Sequence, residues 1–360
     1  MTLEYFEPIR RRVADTLRAF LDEKRTELAR VGPMGSRAAE RLRDFSVRGK
    51  MIRGCLVHLG WALARAGAPD AAGDHPGVVA AGAAMELFQS GLLVHDDIMD
   101  RDPVRRGQPS IFRQYEEQAA RDGATDPAHV GQSLGICAGD VAYFLAFDLL
   151  VRAGLPGASL GAVLGLCARE LAAVGIAQMH DVAWAASAVT VDQEQILRMY
   201  TYKTGRYSFS LPLLAGALIA GGSEELRAGL DDIGQSLGLL FQLRDDELGL
   251  FGDEQQTGKP LGSDLREGKK TILVSLLLDH AKDEERVRLQ GILGGPSCTV
   301  DDLDFVRRLA GSPAVRDRVR GLTGGLVQRA EQAVRALPTS AEPERAVLRR
   351  LLDFTTSRGQ

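Results

Sequence analysis

Four stretches of this chain, Gly77 to Val94, Gly135 to Val151, Ala158 to Ile176 and Tyr207 to Ala220, are apolar on every face of a helix. A soluble helix of that kind has no side to turn to water, so it must be surrounded by other helices. The covering helices can be found in the same sequence. "IRRRVADTLRAFLDEKRTELARV" spaces Val13, Leu17, Phe20 and Leu21 at three and four, which makes one buried stripe with charge outside. The stretch from Val306 to Leu337 and a last helix from about Glu342 to Phe354 repeat the pattern. Alternating β-branched runs bounded by turn dipeptides are missing, so strands are at best minor. The expected fold is all-α: one large helical bundle over residues 1–360, a single domain with the apolar helices inside.

Composition narrows the function classes. The 360 residues are 45% hydrophobic and 26% charged, with a net charge of -4. A general nucleic-acid surface is not expected, and any polyanion must be gripped by a local basic cluster. The four cysteines (Cys55, Cys137, Cys167, Cys298) lack CxxC or Cys/His spacing and read as buried thiols of a reduced compartment. "MTLEYFEPIRRRVADTL" has no apolar core segment of a signal peptide. Glu86 and Gln89 interrupt the most apolar stretch, so no transmembrane segment is expected and the location expected is cytoplasmic.

The chemistry concentrates at the end of one apolar run, "GLLVHDDIMDRDPVRRGQPS", residues 91–110. Asp96 and Asp100 lie one helical turn apart on the same face, and Asp97 points about 100° away. Two aligned carboxylates repel each other unless a cation sits between them. An oxygen-only pair suits Mg2+, which takes one or two carboxylates and leaves its other positions to water or phosphate. Asp245 and Asp246 end a second apolar run, and a Gly- and Lys-containing loop follows. Two such ends facing each other could hold metal-bridged phosphates, with basic residues closing the remaining sides.

These motifs resemble those of the trans-prenyltransferases, the head-to-tail isoprenyl diphosphate synthases, over nearly the whole chain. "DDIMDRDPVRRG" looks like their first aspartate-rich motif, "FQLRDDELG" like the second, and "GKPLGSDLREGKKT" like the lysine-bearing loop after it. "GKMIR" near residue 50, "AGD" at 138–140, "AQMHD" at 177–181 and "YKTG" at 202–205 match as well, in order. The resemblance implies Mg2+-dependent condensation of isopentenyl diphosphate with a C5, C10 or C15 allylic diphosphate, and a homodimer. It implies Asp96, Asp100 and Asp245 as metal ligands, with Asp97 and Asp246 as supporting or orienting groups of the metal site. Gln178 and Asp181 would support that site. Arg105, Lys203 and Lys259 would contact the allylic diphosphate. Lys50, Arg53, Gln89, Arg106 and Lys269 would bind isopentenyl diphosphate. Thr204 and Gln242 would face the reacting centre, with Phe241 lining the same chamber.

Two positions depart from the commonest pattern: Gly249 replaces the third aspartate of the second motif, and Gln89 stands where many bacterial relatives carry histidine. Activity is expected to survive both. Product length is expected to be measured along the helix before Asp96, by Gly91 and Leu92 one turn back and Phe88 two turns back. Farnesyl-making relatives often place an aromatic where this chain has Gly91. The glycine is expected to leave depth and Phe88 to form the floor, giving a C20 product, geranylgeranyl diphosphate. A farnesyl or longer polyprenyl product is the alternative. A terpene cyclase would need an Asn/Ser/Glu triad in place of "DDELG", and a regulatory subunit would have lost the metal ligands.

Overall fold

The computed structural model describes residues 4–66, 75–187, 189–252, 261–295 and 298–357. They form an all-α protein that divides into two compact units. The first comprises residues 1–166 and 212–227. It holds α1 (Phe6–Leu28), α2 (Pro33–Ser46), α3 (Ile52–Arg65), α4 (Pro76–Met99), α5 (Ile111–Arg121), α6 (Pro127–Val151) and the first turns of α7 (Gly157–Ala185). Most of α9 (Leu211–Ile219) also belongs to it. The expected α1 stripe is buried, with Val13, Leu17 and Leu21 fully enclosed. α4 is the core helix, and α1, α3 and α6 pack around it. From Ala81 to Phe88 each of its side chains is buried, and Glu86 is satisfied there by accepting the backbone N–H of Gly54 at 2.9 Å.

The second unit comprises residues 167–211 and 228–360. It contains the rest of α7, α8 (Gln193–Tyr200), a π-helix (Thr201–Ser210), most of α10 (Glu224–Phe251) and α11 (Ser263–Arg266). α12 (Ile272–His280), α13 (Asp283–Ile292), α14 (Val300–Ala310), α15 (Pro313–Ala336) and α16 (Glu342–Ser357) complete it. Ile196, Tyr200, Leu243, Ile272, Leu277, Leu289 and Val306 share its core. Local signals start these helices where the chain turns. Asp192 and Gln195 form a capping box on α8, and the Thr271 hydroxyl accepts the Val274 N–H at 3.1 Å to open α12.

The only strands among the described residues are the two-residue pair Val104–Arg105 and Gln108–Pro109. Arg106 and Gly107, at φ of 54° and 70°, form the tight turn between them, the mirror-type turn favoured in hairpins.

Two expectations from the sequence change. Apolar helices were to be sheathed by others, and α4 is; α6 and α7 are not. Phe144 is 73% exposed, Ile136 and Val151 on α6 are open as well, and so are Ile176, Met179 and Val182 on α7. By length and composition alone α4, α6 and α7 are each long and apolar enough to cross a membrane. Periodicity cannot separate a helix buried inside one chain from a helix whose apolar face is left for another surface. For the same reason Cys137, beside Ile136, is exposed and not a core thiol; Cys55 and Cys167 are buried.

Candidate active site

α4 ends in a Schellman motif: Asp102 N–H bonds back to the Asp97 carbonyl at 2.8 Å and Arg101 N–H to Ile98 at 3.3 Å, with Arg101 in the left-handed region. This turn brings the following hairpin back over the helix end. The two adjacent arginines of the hairpin then part. Arg105 Nε donates to Asp97 Oδ1 at 2.6 Å, and its Nη2 lies 3.1 Å from Asp102 Oδ2 and 3.5 Å from Asp96 Oδ2. Asp97 is fully buried, whereas Asp96 and Asp100 keep part of their surface on the same helix face. Burial pushes the Asp97 carboxyl up to about 7, with Asp96 and Asp102 adding to the rise and Arg105 opposing it. Burial works against the Arg105 charge too, but Asp97, Asp96 and Asp102 outweigh it and the guanidinium is held as a cation. Asp97 therefore anchors Arg105, which leaves Asp96 and Asp100 as the outward pair.

Arg106 goes the other way. Its Nη1 donates to the Phe45 carbonyl at 2.9 Å and its guanidinium lies 5.4 Å from the Phe45 ring centre. Burial, reinforced by the charges of Arg53 and Arg105, lowers its proton affinity, against the attraction of Glu86. Arg106 thus lies in the field of two further arginines, Arg53 and Arg105, with the buried carboxylates of Glu86 and Asp97 opposing them, a net positive field suited to an anion. Lys50 and Arg53 flank Met51, a buried residue in the left-handed conformation at φ 53° that turns the chain into α3. Non-glycine residues adopt that conformation at a cost of about 1–3 kcal/mol, so the loop is held there by its surroundings. Gln89 lies on α4 one turn from Glu86 and is half-buried. Of the residues expected to hold isopentenyl diphosphate, Lys50, Arg53, Gln89 and Arg106 fall in this unit.

The second acidic end is built where α10 runs along the π-helix. A Cβ on Gly238 would stand 2.1 Å from the Gly205 Cα, and one on Gly234 would stand 2.6 Å from Ser210, so the two backbones touch only because those side chains are missing. One turn further along α10 the contact becomes polar. Thr204 Oγ1 donates to Gln242 Oε1 at 2.8 Å, and Gln242 Nε2 donates to Asp246 Oδ1 at 2.9 Å. The Tyr200 hydroxyl donates to the other oxygen of Asp246 and accepts the Ile272 N–H at 3.2 Å. Burial, with Asp264 and Asp245 adding, raises the Asp246 carboxyl far above the ordinary range. Asp246 is thus a buried bracket, and Asp245 is its half-exposed neighbour.

Lys203 is bound to Asp181 of α7, one turn after the half-buried Gln178. Arg206 chelates Glu170 at 2.6 and 2.9 Å and Asp231 at 3.0 and 3.2 Å, tying the π-helix to both flanking helices. Extra-wide helical turns are rare and collect at functional sites, where they redirect side chains. Phe241 packs at 5.7 Å against Phe209, and Lys269 pairs with Glu267 at 2.8 Å. Lys259 lies outside the described residues. Gly249 opens toward Asp264, whose Oδ2 would be 3.5 Å from a Cβ placed there.

Gly91 does not leave depth, as the sequence suggested. A Cβ there would lie 2.8 Å from the Tyr143 ring and 3.0 Å from the Gly139 carbonyl, so Tyr143 of α6 fills the space. Phe88 is wholly buried, edge-on to Phe147 at 4.9 Å. Leu92 is half-buried on the Asp96 side. Tyr200, Tyr143, Glu86 and Arg206 escaped the sequence reading, since each acts through a partner distant in sequence and each resembles ordinary core or surface.

Among the described residues no group of three His, Cys, Asp or Glu side chains forms a metal cage. The donor set nevertheless fits Mg2+: hard carboxylate oxygens, one or two per end, with cations alongside, as for an ion that shares its shell with phosphate.

The family model described as polyprenyl synthetase matches residues 40–309. The geranylgeranyl diphosphate synthase of Sulfolobus acidocaldarius is 36% identical over 62% of this chain, and the match spans 63% of that relative's length. The short chain isoprenyl diphosphate synthase of Methanothermobacter thermautotrophicus is 34% identical over 72% of this chain and 71% of its own. The crystal structure of geranylgeranyl pyrophosphate synthase from Corynebacterium glutamicum, complexed with isoprenyl diphosphate and magnesium, superposes with a TM-score of 0.90. It is 32% identical, over 98% of this chain and 99% of that one. Other relatives are named geranylfarnesyl and farnesyl diphosphate synthases.

Proposed function

Because the chain belongs to the polyprenyl synthetase family, we propose that it catalyses the Mg2+-dependent head-to-tail condensation of isopentenyl diphosphate with an allylic diphosphate, giving geranylgeranyl diphosphate. The observation that carries this reading is the repeated design of the two acidic ends. In each, a buried aspartate serves as a bracket, a neighbouring aspartate keeps an exposed face, and a cation is fixed by a carboxylate: Asp97 with Arg105, Asp181 with Lys203. Sites that stabilise charge on a leaving group need such donors held in place before the charge develops.

Asp96, Asp100 and Asp245 are the proposed metal ligands. The ions would neutralise charge on the departing diphosphate. Arg105, Lys203 and Lys259 bind the allylic diphosphate, and Lys50, Arg53, Arg106, Gln89 and Lys269 bind isopentenyl diphosphate. Asp181 and Gln178 orient Lys203 and its surroundings. The Thr204 hydroxyl is fixed by Gln242, so its oxygen dipole can face a developing allylic cation without reorganising. Apolar side chains, Phe241 and Leu92 among them, keep water from that cation. The same reading takes residues 1–360 as a single synthase domain, soluble and cytoplasmic. It places a second copy of the chain on the exposed strip of Ile136, Phe144 and Val151, because an apolar face of this kind calls for cover.

The test is incubation of purified protein with isopentenyl diphosphate and each of the C5, C10 and C15 primers, with Mg2+ or with EDTA. The expected result is Mg2+-dependent elongation ending at C20. No turnover with any primer rejects the proposal, and products dominated by C15, or by C30 and longer, reject the chain length. Asp96→Ala and Asp245→Ala should each lower kcat by about 10²–10³-fold or more, the scale of losing one preorganised electrostatic group.

A further inference from the structure

α4 and α6 meet along a ladder of antiparallel rungs. Phe88 faces Phe147, Gly91 faces Tyr143, His95 lies against Gly139 and Ile98 against Gly135. Large side chains on one helix sit in notches left by glycines on the other. The Gly91 notch differs from its neighbours. Tyr143 Cε1 and Cδ1 would be 2.8 and 2.9 Å from a Cβ at Gly91, so the ring rests on the backbone of α4. Its other edge meets the His95 imidazole at 5.4 Å, and the next residue is Asp96. The charges of Asp140 and Asp96 reach its hydroxyl and, after burial, hold it in its neutral form. Gly91 is five residues before Asp96, which sets the ring about 7.5 Å below that carboxylate along the helix axis. Phe88, one rung lower, is completely enclosed and backed by Phe147, whereas Tyr143 keeps part of its surface open.

We infer that Tyr143 of α6, seated in the notch left by Gly91, is the side chain that limits product length. The inference rests on the elongation activity proposed above and moves the length determinant from α4 to its neighbour. A tail leaving a head held at Asp96 and Asp100 descends along α4, and the first notch in that wall is already filled. Removing the ring opens a groove between two helix backbones, one wall of which is glycine. A C5 isoprene unit is close in bulk to the phenol ring that would be lost. Removing Phe88 leaves Phe147 in place behind it and opens no comparable path. The limit is steric, so the hydroxyl contributes nothing to it.

The experiment measures products formed from isopentenyl and farnesyl diphosphates by the wild type and by Tyr143→Ala, Tyr143→Leu and Tyr143→Phe. The ratio of C25-and-longer products to C20 should rise at least about tenfold in the Ala variant, the discrimination that a small apolar difference in a pocket confers. The Leu variant, which keeps most of the packing, should rise less and decides the matter if the Ala variant does not fold. The Phe variant should keep the wild-type ratio. Elongating Ala and Leu variants with an unchanged ratio overturn the inference, as does a Phe variant that lengthens products as much as Leu. A wild type that elongates no primer overturns the activity itself and this inference with it, a separate outcome from unchanged lengths.

Discussion

Tyr200→Phe isolates the bracket under the second acidic end. The ring stays and the packing of α8 is unchanged, so only the hydroxyl is lost. That hydroxyl makes two hydrogen bonds in fully buried surroundings, one to Asp246 and one from the Ile272 N–H at 3.2 Å. Ile272 opens α12, where the first N–H groups have no partner within the helix, so Tyr200 is its acceptor. Where Asp246 is ionised, losing the hydrogen bond to it costs about 1.5–3 kcal/mol, and stranding a buried N–H costs about 1–3 kcal/mol. The two together come to roughly 4 kcal/mol, a large share of the 5–15 kcal/mol that typically holds a domain folded.

The loss should also depend on pH. Burial holds the Asp246 pKa above its unfolded value, and the bond from Tyr200 opposes that rise. A carboxyl with a raised folded pKa costs nothing below its unfolded pKa; the cost builds as pH climbs from the unfolded value towards the folded one and levels off above it. Without Tyr200 the folded pKa climbs further, so the difference between variant and wild type should be larger at pH 8 than at pH 5. Urea unfolding followed by circular dichroism, in EDTA at both pH values, measures it. A loss below about 1 kcal/mol, or one that shrinks as pH rises, would refute the bracket.

Gly249→Asp should place a carboxylate beside Asp264 Oδ2, 3.5 Å from the new Cβ. A like-charge pair at that range costs about 1–4 kcal/mol, so the thermal midpoint should fall in EDTA and recover in part with millimolar Mg2+. Gly139→Ala puts a methyl 2.2 Å from His95 Nε2, and the displaced ring precedes Asp96. About 1–3 kcal/mol of stability should be lost, together with a fall in kcat/KM in the primer assay. Phe144→Lys, at a side chain 73% exposed on one chain, should leave the monomer fold intact by circular dichroism while light scattering reports a shift from dimer to monomer.

Much of the site was legible because its chemistry is local. Asp96 and Asp100 share a face by helical period, and the order of motifs tied them to Asp245, Lys203 and Gln242. The departures arise where a residue's role belongs to its partner. Asp97 and Asp246 read only as supporting or orienting groups of a metal site, with nothing to say what they orient; in the fold both are buried, one holding Arg105 and the other held by Tyr200 and Gln242. Arg105 and Arg106 read as a pair, and a two-residue turn sends them to different neighbours.

The amino-acid sequence alone determined the all-α class, the helices and the acidic ends, since period, capping and charge spacing act within a few turns of backbone. Tertiary structure alone decided what fills the notch at Gly91, which apolar helices stay uncovered, and which partners the buried Asp97 and Asp246 take. Those outcomes depend on contacts between residues far apart in the chain. A glycine is open space or a tight seat according to the helix that packs on it, here the one that carries Tyr143.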